Sequence, residues 1–373
     1  MPAPQTIPSA RLASGDFLAA CDKKDLVYFL LNVGDGDTQL VLLPASRDGT
    51  RQAIVVDVAT ERKLPDLLEK LAATPLLPQR DHLFALVVAT HPHADHIGGM
   101  AELLDRFHAH IWEFWDPGFY HPSPPYIEMM RVLESRGILQ SQPAAGMSRF
   151  IDNVLVQVLS PAIGLRNRFD TYGVDINNAS IALKIEFPAT RVAEGDADRR
   201  YLPLRGKTQA LVLGADAQTT SWSHVLVDFP ELHADGTPVS RALRVALGSN
   251  PLSAKVFKVP HHGSKHGVNL ELTEQIRPSL SLFSSVGGMG KYGFPHLIAQ
   301  ESVREAIEAT TSGQTRSTDY DLGLQYTGAR DDAGRALGSI ALVLSPSGRK
   351  REVWRFGDEP KQLVDLGGAR RFE

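Results

Sequence analysis

The chain has 373 residues, of which 43% are hydrophobic and 22% charged, and its formal net charge is -4. This length and balance are typical of an ordinary globular protein with a substantial core, and no basic tract marks a dedicated nucleic-acid-binding protein. A single cysteine, Cys21, excludes an intrachain disulfide and a cysteine-based zinc site. No run approaches the roughly 20 apolar residues of a membrane-spanning helix, so we expect a cytoplasmic protein.

The first part of the chain predicts an arm, three strands and a helix. Residues 1–24 are rich in Pro, Ala and Ser, and we expect a peripheral arm there. Short runs rich in Val, Leu and Ile, separated by turns containing Gly and Asp, predict a mostly antiparallel sheet. The predicted strands are 26–33, 38–43 and 53–58, followed by a helix over 62–73.

The rest of the chain repeats this pattern, and we expect residues 25–373 to form one domain with a C-terminal hairpin extension. An aromatic, proline-rich segment at 112–126 predicts either a pocket wall or a rigid surface loop, and 191–205 predicts an exposed hairpin insertion. The remaining predicted strands are 83–90, 154–159, 180–185, 209–214 and 255–260, the helices are 97–107 and 217–230, and the C-terminal hairpin is 339–344 with 351–356.

The most informative segment follows the apolar run at 83–90. Four side chains able to bind a metal, those of His91, His93, Asp95 and His96, fall within six positions. At the end of a buried strand such groups would repel one another or lose hydrogen bonds unless a metal satisfied them. Imidazole nitrogens and carboxylate oxygens are ligands suited to zinc, manganese or iron.

Two later strands also end in groups suited to metal binding. Asp216 follows the strand at 209–214, and His261 and His262 follow the strand at 255–260. An aspartate between two ions can bridge them, and a two-metal site activates water without a protein nucleophile. The chain has no Gly-x-Ser-x-Gly nucleophile motif, which favours this metal-based chemistry.

These segments together resemble the metallo-β-lactamase superfamily, and most narrowly the ComEC-type metallo-β-lactamase domain. The segment His91-Pro92-His93-Ala94-Asp95-His96-Ile97-Gly98-Gly99 resembles the superfamily signature. The resemblance covers about residues 26–300 and implies an α+β fold, an αββα sandwich of two mixed sheets with helices on the outer faces. The other matching blocks are 32–37, 56–57, 177–180, 213–216, 258–264, 285–287 and 292–296.

The resemblance also implies a ligand set for two divalent ions, zinc or manganese. His91 and His93 would hold one ion, while Asp95, His96 and His262 would hold the other. Asp216 would bridge the two ions. His262 is preferred to His261 as a ligand because it stands directly before Gly263.

The chain departs from the hydrolytic members of the superfamily at two places. Residues 177–180 stand where a third histidine usually completes the first site, so that site is expected to be weaker, to prefer manganese or to fill only with substrate. Phe294 stands where the narrower family often has histidine. His296 remains as a general acid or a phosphate ligand, with an ordinary surface histidine as the alternative.

The predicted catalytic residues are Asp95, His261 and His296, where His261 is either a proton-transfer group or a hydrogen-bonded wall residue. Five further residues are predicted to contact the substrate, namely Asn178, Ser180, Ser264, Lys265 and Tyr292.

These features lead to one preferred function and two alternatives. We expect a metal-dependent hydrolase in which a metal-bound hydroxide attacks a phosphodiester of a nucleotide or nucleic acid. The same chemistry suits a carboxyl ester, lactone or thioester. A non-enzymatic binding or regulatory protein on the same scaffold is the alternative from another class, and the sequence leaves the oligomeric state open.

Overall fold

Two large β-sheets form the body of the protein. The computed structural model describes residues 5–78, 82–169, 174–189, 191–194, 201–204, 208–225, 252–310 and 318–372. The strands are β1 (Thr6–Ile7), β2 (Leu12–Ser14), β3 (Leu26–Leu30), β4 (Thr38–Leu42), β5 (Ala53–Val58), β6 (Phe84–Val88), β7 (Phe114–Trp115), β8 (Gln140–Ser141), β9 (Ser148–Ile151), β10 (Val154–Ser160), β11 (Ala182–Phe187), β12 (Arg191–Glu194), β13 (Tyr201–Leu204), β14 (Gln209–Leu213), β15 (Val256–Lys258), β16 (Leu280–Phe283), β17 (Leu324–Tyr326), β18 (Arg330–Asp331), β19 (Ile340–Leu344), β20 (Arg351–Arg355) and β21 (Arg370–Phe372).

Helices follow several of these strands. They are α1 (Phe17–Ala20), α2 (Lys63–Ala72), α3 (Ala94–Ile97), α4 (Met100–Phe107), α5 (Pro124–Arg136), α6 (Ile163–Arg166), α7 (219–225), α8 (Leu270–Ile276) and α9 (Leu297–Thr310). Short 3-10 turns lie at Ile176–Ala179 and Pro260–Gly263. No helix in the described ranges is long and apolar enough to cross a membrane.

Both large sheets are mixed. The ten-stranded sheet has the order β2-β21-β20-β19-β3-β4-β5-β6-β7-β8, and its strands are parallel from β5 to β8. The seven-stranded sheet has the order β17-β16-β15-β14-β11-β10-β9, and its strands are parallel from β17 to β14. Because the carboxyl ends of parallel neighbours lie at one edge of a sheet, each sheet collects the loops that follow these strands at a single edge.

The two sheets pack face to face, with helices outside them. Along β3, Tyr28 faces the apolar layer shared with the seven-stranded sheet, whereas Val27 and Phe29 face α2, α4 and α5. Such strands are apolar on both faces because both faces are covered. A third apolar cluster lies between the seven-stranded sheet and α8 and α9. The expected α+β fold with an αββα arrangement is therefore confirmed.

The ends of the chain belong to the body of the ten-stranded sheet. The C-terminal hairpin β19–β20 pairs with the central strand β3, so it is not an extension added outside the fold. The predicted arm is also not peripheral throughout, because β2 pairs with β21 and Phe17 is buried in the core against Phe29 and Phe356. Apolar contacts distant in the sequence decide both placements.

The structure differs from the predicted elements at two places. The helix expected at 97–107 is two helices, α3 and α4, separated at Gly98 and Gly99. A Cβ atom on Gly99 would lie 2.3 Å from the carbonyl carbon of Thr60, so this close contact with the loop after β5 requires glycine. The segment at 112–126 contains β7 and the start of α5, which begins with proline at its first position.

Two predicted elements lie partly outside the described residues. The helix expected at 217–230 is described over 219–225. The hairpin expected at 191–205 is present as the antiparallel pair β12–β13, and residues 195–200 and 205 lie outside the described ranges.

Candidate metal centre

The ends of four strands from the two sheets meet at one edge of the sandwich. Asp57 lies in β5 and His91 follows β6, both in the ten-stranded sheet. Asp216 follows β14 and His262 follows β15, both in the seven-stranded sheet. The parallel direction of each pair places the four side chains at the same edge.

His91, His93 and Asp216 form the first ligand group. One donor atom of each lies within 4.8 Å of the other two. His91 Nε2 is 3.0 Å from His93 Nδ1 and 3.7 Å from Asp216 Oδ2. His93 stands directly before α3, so its ring is held at the start of that helix.

Asp95, His96 and His262 form the second ligand group, again within 4.8 Å of one another. His262 Nε2 is 3.7 Å from Asp95 Oδ2 and 3.6 Å from Asp216 Oδ1. His96 Nε2 is 3.1 Å from the same Asp216 oxygen. Asp216 therefore presents one carboxylate oxygen to each group.

The far nitrogens of two imidazoles are held by partners behind the site. His96 Nδ1 is 2.7 Å from Asp57 Oδ2, and Asp57 also accepts hydrogen bonds from the Thr90 N–H and hydroxyl, each at 2.7 Å. His262 Nδ1 donates to the main-chain oxygen of Ser284 at 3.0 Å. Both rings are thereby oriented with Nε2 towards Asp216, as outer-shell partners of metal-binding histidines do.

The buried polar atoms of this centre fit divalent cations. His96 Nε2, His262 Nε2 and Asp216 Oδ1 are buried and make no hydrogen bond of acceptable geometry. Leaving three such atoms unpaired in one place costs free energy, and a cation bound between them removes that cost. Two groups of imidazole and carboxylate donors that share Asp216 are a donor set that fits two divalent ions.

Burial and neighbouring charges shift the pKa values of these groups. Burial, together with the neighbouring His96, lowers the pKa of His91 well below its usual value. Burial also lowers the pKa of His96, but the charges of Asp216 and Asp57 outweigh it and raise that pKa overall. Burial raises the pKa of Asp216, yet His96 and His262 hold it well below its usual value, so this carboxylate is ionised at neutral pH.

Strained backbone is concentrated at this edge. Among the described residues other than glycine, seven have positive φ, and four of these are at the centre: Asp57 (59°), Ala215 (46°), His261 (51°) and His262 (55°). Residues other than glycine rarely adopt positive φ, so contacts with the surrounding structure must stabilise these four residues in that conformation. The turns therefore direct these side chains into the centre at the cost of local strain.

A buried ion pair lies behind His262. Lys258 Nζ donates to Asp37 Oδ2, both side chains are fully buried, and Asp37 Oδ1 is 3.7 Å from His262 Nδ1. Asp37, Lys258 and Asp57 were not among the residues predicted for the site. A charged residue inside an otherwise apolar strand, as in Val256-Phe257-Lys258-Val259, is the sequence signal that would have identified Lys258 and Asp57, whereas Asp37 lies in the turn before β4.

Of the two histidines predicted to move protons, His261 lies beside Asp216, whereas His296 lies next to Phe294, with 5.2 Å between the ring centroids. His261 Nε2 is 3.7 Å from Asp216 Oδ2, and burial lowers the His261 pKa. His296 Nδ1 accepts a hydrogen bond from the Lys265 main-chain N–H at 3.0 Å. The neutral His296 ring therefore carries its proton on Nε2.

The residues predicted to contact the substrate have different placements. Asn178 Oδ1 accepts hydrogen bonds from the Ser221 hydroxyl and N–H, so Asn178 lies against α7, and its contact with substrate stays a prediction. The Ser180 hydroxyl is buried without a hydrogen-bond partner. Ser264 is buried and accepts from the His266 N–H, whereas Lys265 and Tyr292 are exposed.

Comparisons with known sequences find similarity to one family over part of the chain. Residues 47–192 match the model of the metallo-beta-lactamase superfamily. Over 313 residues the chain is 22% identical to ComE operon protein 3 of Bacillus subtilis (strain 168), a match that covers 82% of this chain and 34% of that protein. The chain thus spans about a third of the length of this curated relative.

Solved structures also resemble the chain. Igni18, described as a metallo hydrolase from the archaeon Ignicoccus hospitalis, is 15% identical with a TM-score of 0.39, and the match covers 85% of this chain and 98% of that one. CmlA, a diiron beta-hydroxylase from Streptomyces venezuelae, is 11% identical with a TM-score of 0.42, and the match covers 82% of this chain and 53% of that one.

Proposed function

We propose that this chain, which carries a domain of the metallo-beta-lactamase superfamily, is a metal-dependent hydrolase that cleaves phosphodiester bonds. The observation that carries the proposal is the pair of ligand groups that share Asp216. His91 and His93 lie on one side of this carboxylate, and Asp95, His96 and His262 lie on the other.

Each ligand has a role in this proposal. His91 and His93 would hold one cation, Asp95, His96 and His262 would hold the second, and Asp216 belongs to both groups. Two such cations, when bound, would lower the pKa of water and stabilise charge on a substrate oxygen. Asp57 and the Ser284 carbonyl fix the orientation of His96 and His262.

The surroundings of the centre support an anionic substrate. Lys265 and Lys291 are exposed on the two loops that flank His262 and His296, and their ammonium groups attract a phosphate. The described residues show no serine or cysteine paired with a base at this edge, which is consistent with hydrolysis through water. The likeness to ComEC-type domains adds the expectation of phosphodiester rather than carboxyl ester chemistry.

Two residues are proposed to handle protons and geometry. His296 presents an Nε2–H and is proposed to donate a hydrogen bond from it to a phosphate oxygen or a leaving oxygen. His261, beside Asp216, is proposed to assist proton transfer or to position the substrate. Asp95 is the most exposed ligand, so it is the one nearest to incoming substrate.

A substrate comparison tests the proposal. Metal-free protein is reconstituted with Zn²⁺ or Mn²⁺ and offered bis-p-nitrophenyl phosphate and p-nitrophenyl acetate, with Asp216→Asn as the inactive control. We expect metal-dependent turnover of the phosphodiester that is lost in the variant. Turnover of the acetate alone assigns the centre to ester chemistry. Absence of both turnover and bound transition metal assigns the chain to a binding role.

A further inference from the structure

An exposed aromatic ring lies at the outer end of a stack that begins at the metal centre. The Tyr292 ring is 59% exposed, and its centroid lies 5.6 Å from that of Phe294 with an angle of 28° between the planes. Phe294 is buried, and its ring lies 5.8 Å from His262 and 5.4 Å from His261. Tyr292 is therefore separated from a proposed metal ligand by a single buried ring.

Other exposed apolar side chains lie near Tyr292 in the chain. Met289, Leu297 and Ile298 are 65%, 56% and 61% exposed. Exposed apolar side chains that cluster beside a site commonly mark a contact surface for a ligand. The Tyr292 ring supplies a flat face at this surface because Phe294 stacks against its other side.

Positive charge accompanies this flat surface. Lys291 Nζ lies 5.0 Å from the centroid of the Tyr292 ring. Lys265, whose main-chain N–H donates to His296 Nδ1, adds a second exposed cation. A ligand that matches the surface has a planar ring linked closely to an anionic group. A nucleobase attached through its sugar to a phosphate has this form, and bases stack on aromatic side chains largely independently of sequence.

We propose that Tyr292 is a stacking platform for a nucleobase next to the scissile phosphodiester. The inference rests on the proposed function, since it places the phosphate at the ions held around Asp216. The Lys291 side chain moves aside as the base stacks and its ammonium contacts a neighbouring phosphate. Tyr292 thus determines which phosphodiesters bind, while the ligand groups cleave them.

Kinetics with two substrates test this platform. A thymidine dinucleotide is compared with an analogue of the same charge that lacks both bases, using Tyr292→Phe, Tyr292→Leu and Phe150→Ala, an exposed aromatic on β9 that serves as control. We expect Tyr292→Leu to raise KM for the dinucleotide about tenfold, the effect of one lost stacking contact. Tyr292→Phe and the control retain the KM ratio between dinucleotide and analogue that the unaltered protein has, and Tyr292→Leu raises that ratio.

A binding measurement separates this inference from the proposed function. Metal-free protein is titrated with a 2-aminopurine nucleotide, whose fluorescence falls when its base stacks on an aromatic ring. Quenching by the unaltered protein and Tyr292→Phe, but not by Tyr292→Leu, supports the platform even if hydrolysis fails. Metal-dependent phosphodiester turnover with equal KM and quenching in the Leu and Phe variants overturns the platform alone.

Discussion

Asp57 lies 2.7 Å behind His96, with its Oδ2 against the His96 Nδ1 atom. The same carboxylate accepts two hydrogen bonds from Thr90 at the end of β6, so it connects the conformation of the two strands to the orientation of one imidazole. A residue that touches no proposed ion thereby determines which nitrogen of His96 faces Asp216. The arrangement makes Asp57 a positioning residue whose effect is separable from that of the ligands.

Asp57→Asn should weaken metal binding without unfolding the protein. Asparagine tolerates the positive φ at this position, but its amide group places a donor against His96 Nδ1 and moves the ring proton to Nε2. We expect affinity for Zn²⁺ to fall about 10- to 100-fold, as for other outer-shell partners. Competition with a chromophoric chelator measures this, with exposed Asp105→Asn on α4 as control. Unchanged affinity would show that Asp57 does not set the ring orientation.

Shared coordination by Asp216 predicts different metal contents for two variants. Asp216→Asn removes a ligand from both groups, so we expect substantially less than two ions per chain and no turnover. His93→Ala affects only the first group, so the second ion should remain. Elemental analysis after dialysis gives the stoichiometry, with exposed His108→Ala as control. Loss of both ions from His93→Ala would contradict two separate groups.

His296→Ala should reduce turnover while metal content stays the same. The residue belongs to neither ligand group, and its Nδ1 is already bound to the Lys265 N–H. Loss of one hydrogen-bond donor to the oxygen that gains charge lowers kcat by about 10²- to 10³-fold. Rates with a substrate whose leaving group needs no proton, such as p-nitrophenolate, should change less than rates with an alkyl leaving group. Loss of metal from this variant would make our assignment of His296 wrong.

The buried ion pair behind His262 predicts a large loss of stability when one charge is removed, and recovery when both charges are removed. Lys258→Met leaves the Asp37 carboxylate buried without its cation, which costs about 3–5 kcal/mol in the free energy of unfolding. The double change Lys258→Met with Asp37→Asn removes both charges and should recover most of that loss. Urea unfolding of the metal-free proteins measures each value. A double variant no more stable than Lys258→Met would show that the pair acts otherwise than through charge.

The lowered pKa of Glu113, a residue outside the metal centre, predicts that the stability of the protein depends on pH. Burial raises the Glu113 pKa, but hydrogen bonds from Trp115, Ser141 and Arg149 outweigh it and lower the pKa. Arg149 is on β9, so this carboxylate links the two sheets. The pKa of Glu113 is lower in the folded protein than the value of about 4.3 for an unperturbed glutamate in the unfolded chain. The stabilisation is therefore fully present above that unfolded-state value and is lost as the pH falls through the folded-state pKa.

Glu113→Gln tests this link between the sheets. The variant should be less stable at pH 6 by about 1–3 kcal/mol, and the difference should shrink as the pH falls below 4. Unfolding by urea at several pH values measures the difference, with exposed Glu128→Gln on α5 as control. A difference that is constant with pH would rule out ionisation of Glu113 as its source.

The sequence determined the layers of the fold and the segments that carry the ligands. The strands β3 to β6 can be recognised in the sequence because strands covered on both faces need apolar side chains at nearly every position. The metal-binding cluster from His91 to His96 can also be recognised, because its ligand side chains lie close together in the chain. Such features depend on neighbouring residues, which a sequence displays directly.

Tertiary structure alone decided how distant groups combine. The pairing of His262 with Asp95, the ion pair of Asp37 with Lys258, and the stacking of Tyr292 on Phe294 depend on turns with unusual backbone angles and on the approach of two sheets. The same cause placed Asn178 against α7 and the C-terminal hairpin beside β3. These contacts arise when the whole core packs, because their energies belong to pairs of residues separated by tens to hundreds of positions.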